Sequence, residues 1–386
     1  MKPETYVIHA PVVETPADNR PLNFPVYQNV KWETETIDDA LGIVRGQRPG
    51  YFYSRVSNPT VHQLETLLAS LQGREQCLAT ASGVNAVAQT LIALCRAGDH
   101  VLFFVEGYGP TRAIIRNLLG RYGVTHSMIS IDDHAGIERE LAARPTRLIF
   151  FESPTNPINK IADIAVITEL AQRYGALTVL DNTAAGFHQH GQYPIDVFVH
   201  SLTKFTTGNG DVMGGAVISR SELIAQIKSD FSILGAQLDP LSASLMLRGM
   251  KSYFVRYRAQ SASAQRIADF LASHPACTRL RYPGWGNGAA ASLARRQMQD
   301  MGCVLAFDIR AGAEAGRRFA ERLQYFAKTP SFGSAESLVM APQMMQPKEF
   351  TPEQRAYSDI GEGSVRLSIG LEDVEDLIAD LDQALR

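Results

Sequence analysis

His200-Ser201-Leu202-Thr203-Lys204-Phe205-Thr206-Thr207-Gly208-Asn209-Gly210-Asp211-Val212-Met213-Gly214-Gly215 is the stretch on which the fold turns. An apolar run, VFVHSL (197–202), leads into it and another, GAVIS (215–219), leaves it. Both are short enough to be strands, and the glycine-rich, hydroxyl-rich turn between them ends the first one beside a lysine. Working back along the chain, LTVLDNT (177–183), RLIFFES (147–153), THSMISI (125–131) and HVLFFVE (100–106) repeat the same kind of run. Stretches of helical period separate them, and VHQLETLLASLQ (61–72) and GVNAVAQTLIALCR (83–96) precede them as helices. Strands alternating with helices predict an α/β layer structure with a mostly parallel sheet. Forward of the stretch, one long helical tract is expected from Pro240 to His274, broken by YPGWGNG (282–288). CVLAFDI (303–309) and SVRLSIG (364–370) then read as strands and VEDLIADLDQAL (374–385) as a last helix, a smaller α/β domain.

In such sheets ligands sit beyond the carboxyl ends of the strands. That rule selects Glu106–Tyr108, Glu152–Asn156, Asp181–Thr183 and Ser201–Lys204 before any family is considered. Lys204 could form an imine with an aldehyde while the hydroxyls of Ser201 and Thr203 bind a phosphate, because desolvation makes a lysine amine nucleophilic. A surface lysine beside a turn is the alternative. Asp181 could pair with a protonated pyridine nitrogen, or simply cap a helix. Ser82 and Gly83 open a helix whose exposed N–H groups favour a phosphate, or they are an ordinary cap. Tyr108 could stack on a flat cofactor, or serve its own turn. Arg366, between apolar Val365 and Leu367, could fork onto a substrate carboxylate, or sit in a structural ion pair.

The bulk properties exclude several classes. Of 386 residues 45% are hydrophobic, enough for a large core and more than one domain. A net charge of -3 without a Lys/Arg run argues against nucleic acid as a partner. No stretch of about 18 apolar residues offers a membrane span. The N-terminus lacks the basic-then-apolar pattern of a signal peptide, and Cys77, Cys95, Cys277 and Cys303 lie too far apart for a zinc or dithiol pattern. A cytoplasmic chain with free thiols and no metal is expected. Residues 1–58 carry few periodic signals, and a long irregular arm of that kind usually reaches for another subunit.

Taken in order, Gly50-Tyr-Phe-Tyr-Ser-Arg-Val-Ser-Asn-Pro-Thr60, Ala81-Ser-Gly83, Tyr108-Gly109, Glu152-Ser-Pro-Thr-Asn-Pro157, Asp181-Asn-Thr183, Ser201-Leu-Thr-Lys204, Leu247-Arg-Gly249, Ser331 to Ser337 and Arg366-Leu-Ser-Ile-Gly-Leu-Glu-Asp373 run through nearly the whole chain. Together they resemble the Cys/Met-metabolism family of pyridoxal-phosphate (PLP) enzymes, which includes cystathionine β- and γ-lyases, methionine γ-lyase, cystathionine γ-synthase and the homoserine sulfhydrylases. The resemblance implies the aspartate-aminotransferase-like fold (fold type I), with an arm over 1–58, a PLP-binding domain over 59–245 and a smaller α/β domain over 246–386. It implies that Lys204 holds the cofactor as a Schiff base, that Asp181 pairs with the pyridine nitrogen and that Tyr108 stacks on the ring. Ser82, Gly83, Val84, Ser201 and Thr203 would hold the phosphate, with Thr183 beside Asp181. Tyr53 and Arg55 would reach the phosphate of a neighbouring subunit in a homotetramer. Asn156, Ser331 and Arg366 would bind the substrate carboxylate.

Four departures bear on the substrate. Asn209 stands where many members have His. Ala341-Pro-Gln-Met-Met-Gln-Pro347 replaces a His-containing pattern, Pro330 a glutamate of the cystathionine γ-enzymes, and Phe332 a position that is often Leu, or Trp in some β-lyases. The expected activity is carbon–sulfur elimination from a sulfur amino acid, with cystathionine β-lyase leading. Methionine or cystathionine γ-lyase, a γ-replacement synthase and a PLP-bound regulatory protein stay open as alternatives.

Overall fold

The computed structural model describes residues 21–345 and 350–386; residues 1–20 of the expected arm, and Gln346 and Pro347, lie outside them. The apolar runs become strands of one sheet: β1 (Gln76–Thr80), β2 (His100–Phe104), β3 (Thr125–Ile129), β4 (Leu148–Glu152), β5 (Leu177–Asp181), β6 (Val197–Ser201) and β7 (Gly215–Ser219). Their order is β1-β7-β6-β5-β4-β2-β3. The pairs from β6 across to β3 are parallel, while β7 runs antiparallel to both β1 and β6. Parallel strands covered on both faces read as continuous apolar runs, and the packing shows why. Leu102, Phe104, Ile149 and Phe151 face one apolar cluster, and Val101, Phe103, Leu148 and Phe150 face the other. A fully buried side chain of this size contributes about 1.5–3 kcal/mol, so Phe151→Ala, which also leaves a cavity, would cost roughly 3–5 kcal/mol.

The helices are set by their ends. Asn58 caps Pro59–Gln72, with Pro59 in the first turn and Gly73 in the left-handed region at φ 68 closing it. Ser82 caps Gly83–Leu94 by accepting from the N–H of Asn85. The single tract expected from Pro240 to His274 is two helices, Pro240–Met250 and Tyr253–Ser273. The break has a local cause. Arg256 donates to the carbonyl of Gly249 at 2.9 Å, a group that a continuing helix would need for itself. Gly249 also lies so close to the 206–207 turn that an added Cβ would meet Thr206 O at 2.4 Å. The helix therefore ends where it docks on the turn that follows Lys204.

The C-terminal part forms a second sheet from β8 (Cys277–Arg281), β9 (Val304–Ile309), β10 (Ala327–Lys328), β11 (Leu338–Met340) and β12 (Ser364–Ser368), in the order β10-β11-β12-β9-β8. Arg366 is central in β12, opposite Ala306 on β9 and Met340 on β11. It points chemistry from the second sheet toward the strand ends of the first.

Candidate active site

Asp181 ends β5 and is followed by a turn rather than a helix, so its carboxylate is not a helix cap. Its Oδ1 accepts from the N–H of Thr183 at 3.1 Å and from the Thr183 hydroxyl at 2.6 Å. That same hydroxyl oxygen accepts from the N–H of Ser201 at 2.8 Å, which ties the ends of β5 and β6 together. Burial raises the Asp181 carboxyl above its ordinary range, and the Thr183 bonds and the charge of Lys204 work against that rise.

Lys204, three residues past the end of β6, is half-buried. Its ammonium donates to Ser331 Oγ at 2.9 Å and lies 5.2 Å from the centre of the Phe332 ring. Burial, followed by the charge of Arg366, lowers its amine to about 8. Ser331 is held at φ 104, a conformation that is uncommon for a residue with a side chain, and this presents both its hydroxyl and its carbonyl to the site. The carbonyl accepts from Arg366 Nη2 at 2.5 Å, and Asn156 Oδ1 accepts from Nη1 at 2.6 Å. Arg366 is 3% exposed, and its buried Nε has no hydrogen-bond partner. No carboxylate among the described residues pairs with it, so the ion-pair alternative falls away. Burial lowers this guanidinium to about 10.

On the other side of Lys204, the start of the Gly83–Leu94 helix meets the end of β6. A Cβ at Gly83 would sit 2.6 Å from Ser201 Cβ, and one at Gly215 would sit 2.3 Å from Ser82 O. Glycine is required here because two backbones approach closely. The result is a small cradle with the hydroxyls of Ser82 and Ser201, the half-exposed Val84 and the helix start around it. Thr203 is close by, its hydroxyl accepting from the N–H of Gly214 at 3.2 Å.

Tyr108 and Asn156 lie in the loops after β2 and β4, and Tyr108 is 41% exposed. Burial and then the charges of Glu152 and Asp181 raise its phenol, so it stays protonated at neutral pH. Glu152 ends β4 opposite Asp181, and its two oxygens accept from the N–H groups of Tyr108 and Asn156, both at 2.9 Å. Burial first, and Asp181 second, raise this carboxyl well above the usual range. Sequence reading placed Glu152 among the strand-end groups without giving it a function, and treated Phe332 only as a departure. The strand-end rule was the available signal for Glu152. For Phe332 the signal was an aromatic next to Ser331.

Tyr53 and Arg55 make no hydrogen bond to this group within the chain among the described residues. Arg55 donates to the carbonyl of Ser232 and lies over the Tyr53 ring, and Tyr53 itself is 39% exposed. Beside Tyr108 and Asn156 opens a cavity of about 460 Å³, walled by Pro110, Ile158, Met340, Met344, Met345 and Phe350. A larger one of about 820 Å³, between the arm and the Pro59–Gln72 helix, holds none of the site residues.

A lysine amine brought below its ordinary range, a carboxylate one strand away and a glycine-lined helix start, all at the ends of parallel strands, define a pyridoxal-phosphate enzyme of the aspartate-aminotransferase-like fold. The family model described as Cys/Met metabolism PLP-dependent enzyme matches residues 4–386, and the chain belongs to that family. It is 40% identical to an L-methionine gamma-lyase of Pseudomonas putida over 94% of this chain and 92% of the relative. It is 34% identical to a cystathionine beta-lyase of Lactococcus lactis subsp. cremoris over 99% of this chain and 98% of the relative. Among solved structures, a chain from Campylobacter jejuni described as an O-acetylhomoserine (thiol)-lyase superposes with a TM-score of 0.88 at 32% identity, covering 95% of this chain and 96% of that one. That structure carries an N'-pyridoxyl-lysine-5'-monophosphate. The protein is thus an enzyme of sulfur amino-acid metabolism with pyridoxal 5'-phosphate as its cofactor.

The residues present fit that group. The cradle at Gly83, which a Cβ would fill, suits a phosphate at a helix start. The Asp181 carboxylate is of the sign a pyridinium needs, and the lowered amine of Lys204 suits an aldehyde carbon. No helix of the described residues is long and apolar enough to cross a membrane, and no group of metal-ligating side chains occurs among them.

Proposed function

We propose that the chain cleaves the carbon–sulfur bond of a thioether α-amino acid, with Lys204 holding the cofactor and moving protons, and Arg366 holding the substrate carboxylate. The observation that carries this is the buried Arg366 guanidinium, which meets only the neutral oxygens of Asn156 and Ser331 beside the Lys204 amine. An incoming carboxylate supplies the missing anion by a two-point fork. In this reading Ser82, Gly83, Val84, Ser201 and Thr203 hold the phosphate, Asp181 with Thr183 faces the pyridine nitrogen, and Tyr108 stacks on the ring. When bound, the cofactor supplies the electron sink that makes loss of the Cα proton accessible. The neutral amine of Lys204 takes that proton, and its value of about 8 keeps an appreciable neutral fraction near physiological pH. Tyr108, its phenol protonated, donates to the departing sulfur. The arm over 1–58 brings Tyr53 and Arg55 to the phosphate of a neighbouring copy in a homotetramer. The domains run over 59–245 and 246–386, and the chain works in the cytoplasm.

The cavity next to Tyr108 supports a finer reading. Its wall is mainly thioether, aromatic and aliphatic, and the polar lining residues Thr155, Gln343 and Ser358 are uncharged. The charged groups on its rim are engaged within the chain. Glu106 accepts from Lys160 and Ser130, and Arg112 donates to the Gly107 carbonyl and covers the Phe350 ring. A short apolar S-substituent suits this wall better than the second amino-acid head of cystathionine, because a buried zwitterion needs partners. The similarity to the P. putida methionine γ-lyase points the same way. We therefore read methionine-type γ-elimination, which consumes one water and gives a thiol, ammonia and 2-oxobutyrate, as the first activity. β-Elimination from cystathionine is the second reading, favoured by the aromatic Phe332 and by the L. lactis relative. Methionine and cystathionine supplied separately, with chromatography of the oxo acid formed, test this. The first reading expects 2-oxobutyrate from methionine. Pyruvate from cystathionine as the main product would install the second, and no oxo acid from either would overturn both.

A further inference from the structure

We propose that Glu152 is a positioning residue that sets the ring-stacking loop and the carboxylate-binding loop at one fixed distance from each other. The inference rests on the roles given above to Tyr108 and Asn156. Glu152 is the last residue of β4, where the sheet stops and both loops begin. Its Oε2 accepts from the N–H of Tyr108 and its Oε1 from the N–H of Asn156, each at 2.9 Å. One rigid, planar carboxyl therefore bridges two segments 48 residues apart in the chain, and the side chain of the second, Asn156, holds Arg366. Displacing the carboxyl releases the ring and the guanidinium partner together.

A buried carboxyl held by backbone N–H groups also occurs away from the site, where Asp380 accepts from the N–H groups of Gln324 and Tyr325. What marks Glu152 is which two loops it holds and the carboxylate it faces. Glu152 is 6% exposed, has no ion pair among the described residues and stands directly across from a second carboxylate, Asp181. Burial beside a like charge is unfavourable, and it raises this carboxyl well above its ordinary range. The other acid at a nearby strand end, Glu106, is paired with a cation instead. Its oxygens are taken by Lys160, by the Ser130 hydroxyl and by the N–H of Ile131. Both oxygens of Glu152 are spent on backbone N–H groups of the two site loops, and that division is what the role requires.

The test uses the holoenzyme. Glu152→Gln keeps the shape but turns one acceptor into an NH₂ donor, so one of the two N–H groups loses its partner. The expected result is a roughly tenfold weaker dissociation constant for glycine, the effect of about one lost hydrogen bond. Glycine carries the amine and carboxylate without a bond to cleave, and its binding is read from the cofactor absorbance. A weakened visible circular dichroism of the bound cofactor should accompany it, with the melting temperature held within a few degrees. Asn156→Ala should reproduce the glycine defect alone, and Tyr108→Ala the dichroism defect alone. Glu152→Gln with both readouts at wild-type values, while the two single-loop variants show theirs, would overturn the positioning role. If those two variants show no defect, the assignment of Tyr108 and Asn156 fails, and this inference fails with it. Should Glu152→Gln not fold, Glu152→Asp carries the same test. It keeps the charge and draws the carboxyl back by one methylene, so the paired loss is again expected and its absence contradicts the role.

Discussion

At one edge of the five-stranded sheet Arg279 and Arg281 meet Asp308 and Asp359, with bonds of 2.7 Å from Arg279 Nε to Asp308 and from Arg281 Nε to Asp359. Two strands away, on β12 of the same sheet, Arg366 is more deeply buried and meets no carboxylate among the described residues. In the first group each charge is balanced. Burial alone would raise the Asp308 carboxyl, but the Ser364 hydroxyl and the Arg281 charge outweigh it and leave it below its usual range. In the second group two cations, Arg366 and Lys204, lie side by side; burial lowers both, and the charge of Arg366 lowers Lys204 further. The nearby carboxyls, Asp181 for Lys204 and Glu152 for Arg366, act without a direct ion pair among the described residues. A buried cation without an anion is unfavourable unless an anion arrives. The contrast separates charges that close a structure from charges left open for a ligand.

The contrast can be broken by substitution, beginning where the effect is greatest. Lys204→Ala removes from the open group the amine proposed to move protons, and turnover should fall by at least about a thousandfold, in the range of lost acid–base catalysis. Single-turnover and steady-state assays would show it, and substantial residual activity would remove Lys204 from its role. Arg366→Met should raise KM by roughly a hundredfold, since a charge-assisted fork of about 1.5–3 kcal/mol per bond is lost. Its melting temperature should drop less than that of Arg281→Met, which leaves Asp308 short of a partner and should leave KM within about twofold. If the two variants exchanged phenotypes, the distinction between closed and open groups would be wrong.

A subtler effect tests whether the two cations feel each other. In the proposed reaction the neutral form of Lys204 takes the proton, and kcat should then fall about tenfold per pH unit below its value of about 8 and flatten above it. Arg366 lowers that value, so in Arg366→Met at saturating substrate the acid limb should move to higher pH. A limb that stays in place would contradict the coupling. The smallest effect belongs to the closed group. The Asp308 carboxyl is lowered in the folded chain, so its stabilisation is complete at neutral pH and is lost as pH falls through its depressed value, below the ordinary carboxylate range. Asp308→Asn should therefore melt a few degrees lower at pH 7, with the difference from wild type shrinking in acid. A constant difference across pH would assign the loss to packing instead.

Much of this was legible in the sequence, for a physical reason. A parallel strand buried on both faces must be apolar throughout, so HVLFF, LIFFE and VFVHS announce themselves, and the ligand groups follow at their ends. Lys204, Asp181 and Tyr108 were picked out that way as candidates. The strands β1, β8 and β10 were not, because edge strands such as CTRLR and the two-residue AK carry too little apolar pattern, and the inner strand β11 has only three residues. The break between the Pro240–Met250 and Tyr253–Ser273 helices was hidden too, since it depends on Arg256 capturing the Gly249 carbonyl. The same holds for Glu152, whose two bonds go to N–H groups in loops that no local pattern relates. Whether Arg366 is open or paired is likewise a fact of three dimensions.

The central claim, that Lys204 is the residue that holds the cofactor, is tested most directly by chemical trapping. The holoenzyme is reduced with borohydride, digested, and the phosphopyridoxyl group located by mass spectrometry of the peptides. The account predicts the added mass on the peptide containing Ser201 to Lys204, at Lys204 and in about one equivalent per chain. The same mass at another lysine, or no covalent label in a protein that turns over its substrate, would contradict it.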